Sequence, residues 1–238
     1  MERDRESWDT AEAADADRAV LAQPPQEDGV DGSADFVRTG VDEVAAVLHQ
    51  VEGCGLRVRY GTALDFGCGA GRITRALAQR FERVVGIDAI AAVLIEARAS
   101  NSQFGFVEFL PTPVDDLHVL PDGSMDFIYA SSLGLESPRR QHVFLREFGR
   151  VLNRHGVLVF QIGAPARFAS TPVPALLEGA PSSRSVISLV DKRGGTRASK
   201  RRELPPVLAE AGLALQRTRT VACADGDGAA HRYFAIKP

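Results

Sequence analysis

The chain has 238 residues, 45% hydrophobic and 25% charged, with a formal net charge of −3. That size and balance fit one soluble globular domain, and the slightly acidic charge removes any bulk attraction to DNA, RNA or an anionic membrane. No apolar run reaches the length of a membrane span, the charged opening MERDRESWDTAEAADADRAV lacks the apolar core of a secretory signal, and Cys54, Cys68 and Cys223 are odd in number without metal-ligand spacing, which fits a reducing cytoplasmic compartment.

Residues 1 to 35 read as an N-terminal extension or lid, with a helix around Ala11 to Leu21 and loop elsewhere; the large aromatics Trp8 and Phe36 argue for packing on the body. Residues 36 to 238 read as one domain. VDEVAAVLHQV places apolar residues at 41, 44, 47, 48 and 51, a helical stripe. A short buried strand follows at 62–66, then a helix at 72–80, a strand at 83–88, a helix over AIAAVLIEARAS, and a strand over FGFVEFL. The turn PDGS announces a fourth strand, MDFIYAS. RRQHVFLREFGRVLN is helical, His155-Gly156 closes it, and GVLVFQIG is a fifth strand. Residues 163 to 200 break this rhythm and read as an insertion on the substrate side. ELPPVLAEAG is then a helix ended by Gly212, and LALQRTRTVAC and HRYFAIKP are a final antiparallel pair joined by ADGDGAA. The alternation predicts an α/β fold: a doubly wound, Rossmann-like, mostly parallel seven-stranded sheet with an antiparallel last strand and helices on both faces.

The ligand site of such a sheet lies at the carboxyl ends of its strands. At the end of the first stands ALDFGCGAGR, with Gly67, Gly69 and Gly71 in one turn. A dinucleotide fingerprint counted from Gly67 needs a small residue at 72, and the chain has Arg72 there. Asp65 also opposes a pyrophosphate, whereas it suits a cation such as the amino-acid end of a sulfonium cofactor. Asp88 ends the second strand, where a carboxylate can accept both hydroxyls of a ribose; the helical run after it gives Asp88 a compatible role as a helix cap.

LDFGCGAGRITRALAQRFERVVGIDAIAAVLIEAR resembles motif I and its continuation in the class I S-adenosylmethionine-dependent methyltransferases. LPDGSMDFIYASSLGLES is similar to their fourth-strand segment, FLREFGRVLNRHGVLVFQI to the helix and strand that close the core, and DFVRTGVDEV to a lid segment of a bacterial subgroup. The resemblance covers roughly residues 35 to 162 and the last two strands. It implies S-adenosylmethionine as cofactor, with Asp65 near the methionine amino group, Gly67, Cys68, Gly69 and Gly71 under the methionine part, and Asp88 with Ala89 at the ribose. The family's acidic residue near the adenine amine falls here on Pro113; Asp115 or Asp116 can substitute, with Val114 offering a backbone amide, or the segment is a plain surface loop. Ser131 and Ser132 lie where cofactor and acceptor should meet.

Methyl transfer requires an oriented acceptor and, for a hydroxyl or ammonium, a base. Glu136, His142, His118 and Tyr129 are the candidates, and His155 reads as a turn residue. Ala130-Ser131-Ser132-Leu133 replaces the Asn/Asp-Pro-Pro-aromatic motif of enzymes that methylate exocyclic amines of nucleic acids. The six basic residues between Lys192 and Arg202 lack interleaved aromatics, so they read as a solvated loop rather than a nucleic-acid surface. A small-molecule acceptor follows, with no metal, no nucleic-acid or membrane partner, and a monomeric or homodimeric chain. Two alternatives stay open: a cofactor-binding regulatory or scaffold protein without methyl transfer, and a nicotinamide-dependent oxidoreductase.

Overall fold

A computed structural model of the chain describes residues 31–111, 116–131, 133, 138–163, 204–222 and 229–238. In chain order the elements are α1 (Asp31–Glu52), β1 (Thr62–Phe66), α2 (Arg72–Leu77), β2 (Arg83–Asp88), α3 (Ala91–Ser100), β3 (Val107–Pro111), β4 (Met125–Ala130), α4 (Pro138–Val151), β5 (Leu152–Gly163), α5 (Leu204–Glu210), β6 (Ala214–Ala222) and β7 (Ala229–Ile236). The strands form one seven-stranded sheet in the order β3-β2-β1-β4-β5-β7-β6. β1 to β5 run parallel, and β7 pairs antiparallel with both β5 and β6. The expected sheet is therefore present, with β7 as its one reversed strand.

Alternation along each strand separates two cores, as a period of two requires. Ala63, Val84, Phe127, Tyr129, Val159 and Phe234 face α1 and α2, where Val44, Val47, Val51, Ile73 and Leu77 meet them. Leu64, Phe66, Ile87, Ile128, Leu158 and Phe160 face α4 and α5, with Phe144, Phe148, Leu204 and Leu208 opposite. Phe66 packs edge-on to both Phe144 and Phe148, at centroid distances of 4.6 and 5.1 Å. On the α1 side, α3 adds Leu94 and Ala97 over Phe109.

Of the boundaries that differ from the sequence expectation, three have a local reason seen along the chain. α1 begins at Asp31, ahead of its apolar stripe; its exposed opening carries Arg38 within 2.9 Å of Asp35 and 3.6 Å of Asp42, the i,i+3 and i,i+4 spacings that support a helix without burial. β3 begins at Val107 rather than at 104, because the Val107 N–H donates to the Phe104 carbonyl and closes a turn within the aromatic run. β5 begins at Leu152, and its register with β4 jumps from Met125↔Leu152 to Phe127↔Val157. The turn read at His155-Gly156 is thus a bulge inside the strand, with His155 at φ 66°. Trp8, the helix around Ala11 to Leu21, and the insertion apart from Gly163 lie outside the described residues.

Candidate active site

The strand order reverses between β1 and β4, and the glycine turn leaves β1 at that switch point. The turn is held from beneath: the Gly67 and Cys68 N–H groups both donate to the Ile87 carbonyl, at 2.8 and 2.9 Å, and Gly71 N–H donates to the Cys68 carbonyl at 2.9 Å. Two of its glycines are required for different reasons. Gly71 has φ 85°, and a Cβ there would stand 2.7 Å from Asn101 Nδ2 and 3.1 Å from the Phe109 ring. Gly69 has φ 51°, and a Cβ there would meet nothing within 4 Å. The turn is therefore packed at Gly71 and open at Gly69, leaving bare backbone on the side from which a ligand can approach.

Asp88 spans the two ends of this cradle. Its Oδ2 accepts from the Gly69 N–H at 2.9 Å and its Oδ1 from the Ile90 N–H at 3.0 Å. The second bond closes an Asx turn ahead of α3, whose N-cap is Ile90 without a side-chain cap, so Asp88 does not take the helix-cap role read from the sequence. Each carboxylate oxygen keeps further lone-pair capacity for a ligand hydroxyl. Ala89 and Ile90 beside it are exposed.

Asp65 is only 1% exposed. Its Oδ2 accepts from Thr74 Oγ1 on α2 at 2.6 Å. Burial pushes its carboxyl up to about 7, while the Thr74 bond and the Arg72 charge pull the other way. A buried carboxylate with a single side-chain donor suits a cationic partner. Burial also raises the Cys68 thiol far above its ordinary range, with Asp65 and Asp88 adding to the effect, so this free cysteine is an apolar filler rather than a nucleophile.

A polar chain that the sequence reading did not find runs from the glycine turn to the far strands. Arg72 Nη2 donates to Glu43 Oε2 at 2.7 Å, and Tyr129 OH donates to Glu43 Oε1 at 2.5 Å. Arg232 Nη2 donates to Tyr129 OH at 3.3 Å and to Gln161 Oε1 at 3.2 Å, while its Nη1 reaches Gln50 Oε1 at 3.1 Å. Arg232 and Tyr129 are both buried. Burial, then the Glu43 charge, raises Tyr129 well above the ordinary phenol value, so its hydroxyl stays neutral and engaged. Residues 43, 129 and 232 share no local spacing, and only the sheet topology joins them. Thr74 left a fainter signal, a polar residue on the buried face of α2.

The remaining residues singled out from the sequence scatter. Ser131 is half-buried directly after β4, at the carboxyl edge of the sheet. Asp116 binds the backbone N–H and the ring of His118, which hold its carboxyl below the usual range. The segment behind it is clamped from α4: Leu117 N–H donates to Glu147 at 2.9 Å, and Arg150 donates to the Leu117 and Leu120 carbonyls at 2.9 and 3.0 Å. His142 lies on α4, and His155 stands at the opposite, amino end of β5, where its N–H donates to the Lys237 carbonyl. Pro113, Val114, Asp115, Ser132 and Glu136 lie outside the described residues. Among the described residues no group of His, Cys, Asp or Glu is placed to hold a metal ion.

Residues 64–160 match a family model described as a methyltransferase domain. Over 113 residues the chain is 33% identical to trans-aconitate 2-methyltransferase of Deinococcus radiodurans, covering 47% of this chain and 41% of that protein. Over 92 residues it is 34% identical to phosphoethanolamine N-methyltransferase 3 of Arabidopsis thaliana, covering 38% of this chain and 17% of that one. The chain thus spans less than half the length of these curated relatives. Among solved structures, the N-methyltransferase NodS from Bradyrhizobium japonicum WM9, in complex with S-adenosyl-L-homocysteine, superposes with a TM-score of 0.61 at 16% identity, covering 94% of this chain and 97% of that one. The reversed β7 and the switch-point glycine turn ending in Arg72 accompany the methyltransferase-domain match over residues 64–160, and the fold is the one seen in the S-adenosylhomocysteine-bound methyltransferase structure.

Proposed function

We propose that the chain binds S-adenosylmethionine in the cradle of Asp65, residues 67–71 and Asp88, and transfers its methyl group to a small-molecule acceptor. The observation that carries this reading is the Asp88 carboxylate fixed 2.9 Å from the Gly69 N–H, beside the open backbone of the same turn and the buried Asp65. The donor set fits the cofactor at each end. Asp65 receives its ammonium, the open face at Gly69 admits its main chain, and Asp88 receives the ribose hydroxyls. When bound, the cofactor supplies a methyl carbon already activated by the sulfonium, so the protein's part is to orient the acceptor and exclude water. Ser131, after β4, stands on the acceptor side of this cradle. Asp116 is the described acidic residue nearest in sequence to the expected adenine contact, and Val114 and Asp115 share that reading.

The relatives named for trans-aconitate and phosphoethanolamine both carry small polar acceptors in their names, which supports an acceptor of that size. No helix among the described residues is long and apolar enough to cross a membrane, and Cys54 and Cys68 are free thiols, as a reducing cytoplasmic compartment would keep them; the chain is read as a monomer or homodimer. Of the four base candidates, His142 and Glu136 remain the proposals, since the Tyr129 hydroxyl is engaged by Glu43 and Arg232 and His118 is paired with Asp116.

Calorimetric titration with S-adenosylmethionine, S-adenosylhomocysteine and NAD tests the cofactor assignment. Micromolar binding of the two sulfur compounds is expected; tight NAD binding with no response to either would overturn it. Transfer of a radiolabelled methyl group to a metabolite extract then separates an enzyme from a binding protein.

A further inference from the structure

The reversal of β7 has a consequence for its first residues. Because this strand runs against the others, its beginning lies at the carboxyl edge of the sheet, where open α/β sheets bind their ligands. His231 stands there. It pairs with Ile162 of β5 on one side and Thr220 of β6 on the other. Side chains directly opposite one another share a face, so His231 continues the rows Leu158–Ala235 and Phe160–Tyr233 on the α4 and α5 side. Phe160 and Tyr233 stack at 4.9 Å, and the His231 ring sits edge-on to Tyr233 at 6.4 Å. This apolar ladder therefore ends, at the carboxyl edge, in a polar step made by His231 and the exposed Thr220.

His231 Nδ1 is buried and has no hydrogen-bond partner among the described residues, although the residue as a whole is only half-buried. Leaving such a nitrogen unsatisfied is costly, and native interiors rarely retain one without a role. The other histidines differ. His118 is paired with Asp116, His155 lies at the opposite end of β5, and His49 and His142 are on helices. β7 lies two strands from β4, so His231 is roughly 10 Å across the sheet from the row that ends in Ser131. That is the span of a small molecule whose reacting atom sits above β4.

We propose that His231 is an acceptor-binding residue, its Nδ1 hydrogen-bonding a hydroxyl of the methyl acceptor. A hydroxyl both donates and accepts, so it pairs with either tautomer of a neutral imidazole. The assignment rests on the methyltransferase reading and extends it to the acceptor half of the site.

The test uses the full chain, S-adenosylmethionine labelled in its methyl group and a small-molecule metabolite extract, comparing wild type with His231→Ala and His231→Gln. His231→Ala is expected to label at least tenfold less at low extract concentration, with the deficit reduced at saturating extract. His231→Gln, which keeps a hydrogen-bonding group, should recover part of the loss. Both variants should bind S-adenosylhomocysteine within about twofold of wild type and melt within a few degrees of it; a merely structural role would move those two quantities and leave the dependence on extract concentration unchanged. Labelling by His231→Ala equal to wild type would overturn the assignment alone. A wild type that binds S-adenosylhomocysteine but labels nothing overturns it as well, whereas a wild type that fails to bind S-adenosylhomocysteine removes the cofactor reading beneath it.

Discussion

Arg72 and Glu43 meet across two helices, Nη2 to Oε2 at 2.7 Å, and Glu43 uses its other oxygen to hold the buried hydroxyl of Tyr129. One carboxylate on α1 thereby fixes both the residue that ends the glycine turn and a residue in the centre of the sheet. The pair is partly shielded, with side-chain exposures of 32% and 25%, so it differs from an ordinary surface bridge. Glu43→Ala is expected to destabilise the fold by about 2 kcal/mol, since it removes two charge-assisted bonds and leaves Arg72 unpaired. Tyr129→Phe should lose about 1 kcal/mol by the same route. Urea unfolding measures both; a loss under about 0.5 kcal/mol for Glu43→Ala would return the pair to the surface class.

Asp65 predicts a dependence on pH. Its folded-state carboxyl is raised to about 7 from an ordinary value of 3.8. The folded state therefore binds a proton that the unfolded state has released, and this contribution to stability falls as pH rises between about 4 and 7. Asp65→Asn cannot ionise, so its melting temperature should gain on that of wild type across this interval. Parallel melting curves for the two proteins from pH 4 to 8 would contradict the assignment.

The same group gives the cofactor a proton signature. A ligand ammonium beside Asp65 favours the carboxylate, so binding S-adenosylhomocysteine near pH 6 should release a proton. The calorimetric enthalpy should then vary with the ionisation enthalpy of the buffer, and Asp65→Asn should abolish the variation. A wild-type enthalpy independent of buffer would sink this prediction.

Asp88→Ala is expected to weaken S-adenosylhomocysteine binding more than tenfold. The structure adds that it also lowers stability, by about 1–2 kcal/mol, because Gly69 and Ile90 N–H lose their acceptor. Asp88→Asn keeps a side-chain oxygen for one of them and should recover part of the stability while losing affinity. If the affinity of Asp88→Ala stays at the wild-type level, the carboxylate does not hold the ribose.

Gly71 and Gly69 should respond to alanine in opposite ways. Gly71→Ala forces a Cβ to 2.7 Å from Asn101 Nδ2 in addition to an unfavourable φ, and a loss of about 2 kcal/mol or more is expected. Gly69→Ala meets only the backbone cost, about 1 kcal/mol, and projects its methyl group into the open side of the turn. Its larger effect should therefore be on cofactor affinity. Equal stability losses in the two variants, read by thermal unfolding, would argue against a turn packed on one side and open on the other.

The parts of this molecule governed by short-range pattern were legible in the sequence. β1 and β2 fall at the residues where apolar runs end in Asp65–Phe66 and Asp88, and Gly67, Gly69 and Gly71 mark the turn because backbone conformation depends on residue type. Boundaries set by a side chain returning to its own backbone were less visible. The Asx turn at Asp88 precedes α3, and the turn at Phe104 delays β3, though both segments look periodic. The Glu43–Tyr129–Arg232 chain was not legible, because its members are drawn from α1, β4 and β7 and become neighbours only when the sheet closes. His231 was hidden for a related reason: in HRYFAIKP it is one polar residue of a strand, and only the reversal of that strand carries it to the ligand-binding edge.

The placement of β7 also bears on the order of assembly. The strand latest in the chain lies between β5 and β6, pairing through seven residues with the first and eight with the second. β6 has no partner in the sheet until β7 has been synthesised and inserted, and although β6 and β7 are close in sequence, the β5–β7 pairs, such as Val157 with Ile236 and Gly163 with Ala230, join residues far apart in the chain. Completion of the sheet is therefore a late, non-local event during synthesis, and a chain stalled before residue 229 carries the unpaired edge of β5 as a site for mispairing with other chains.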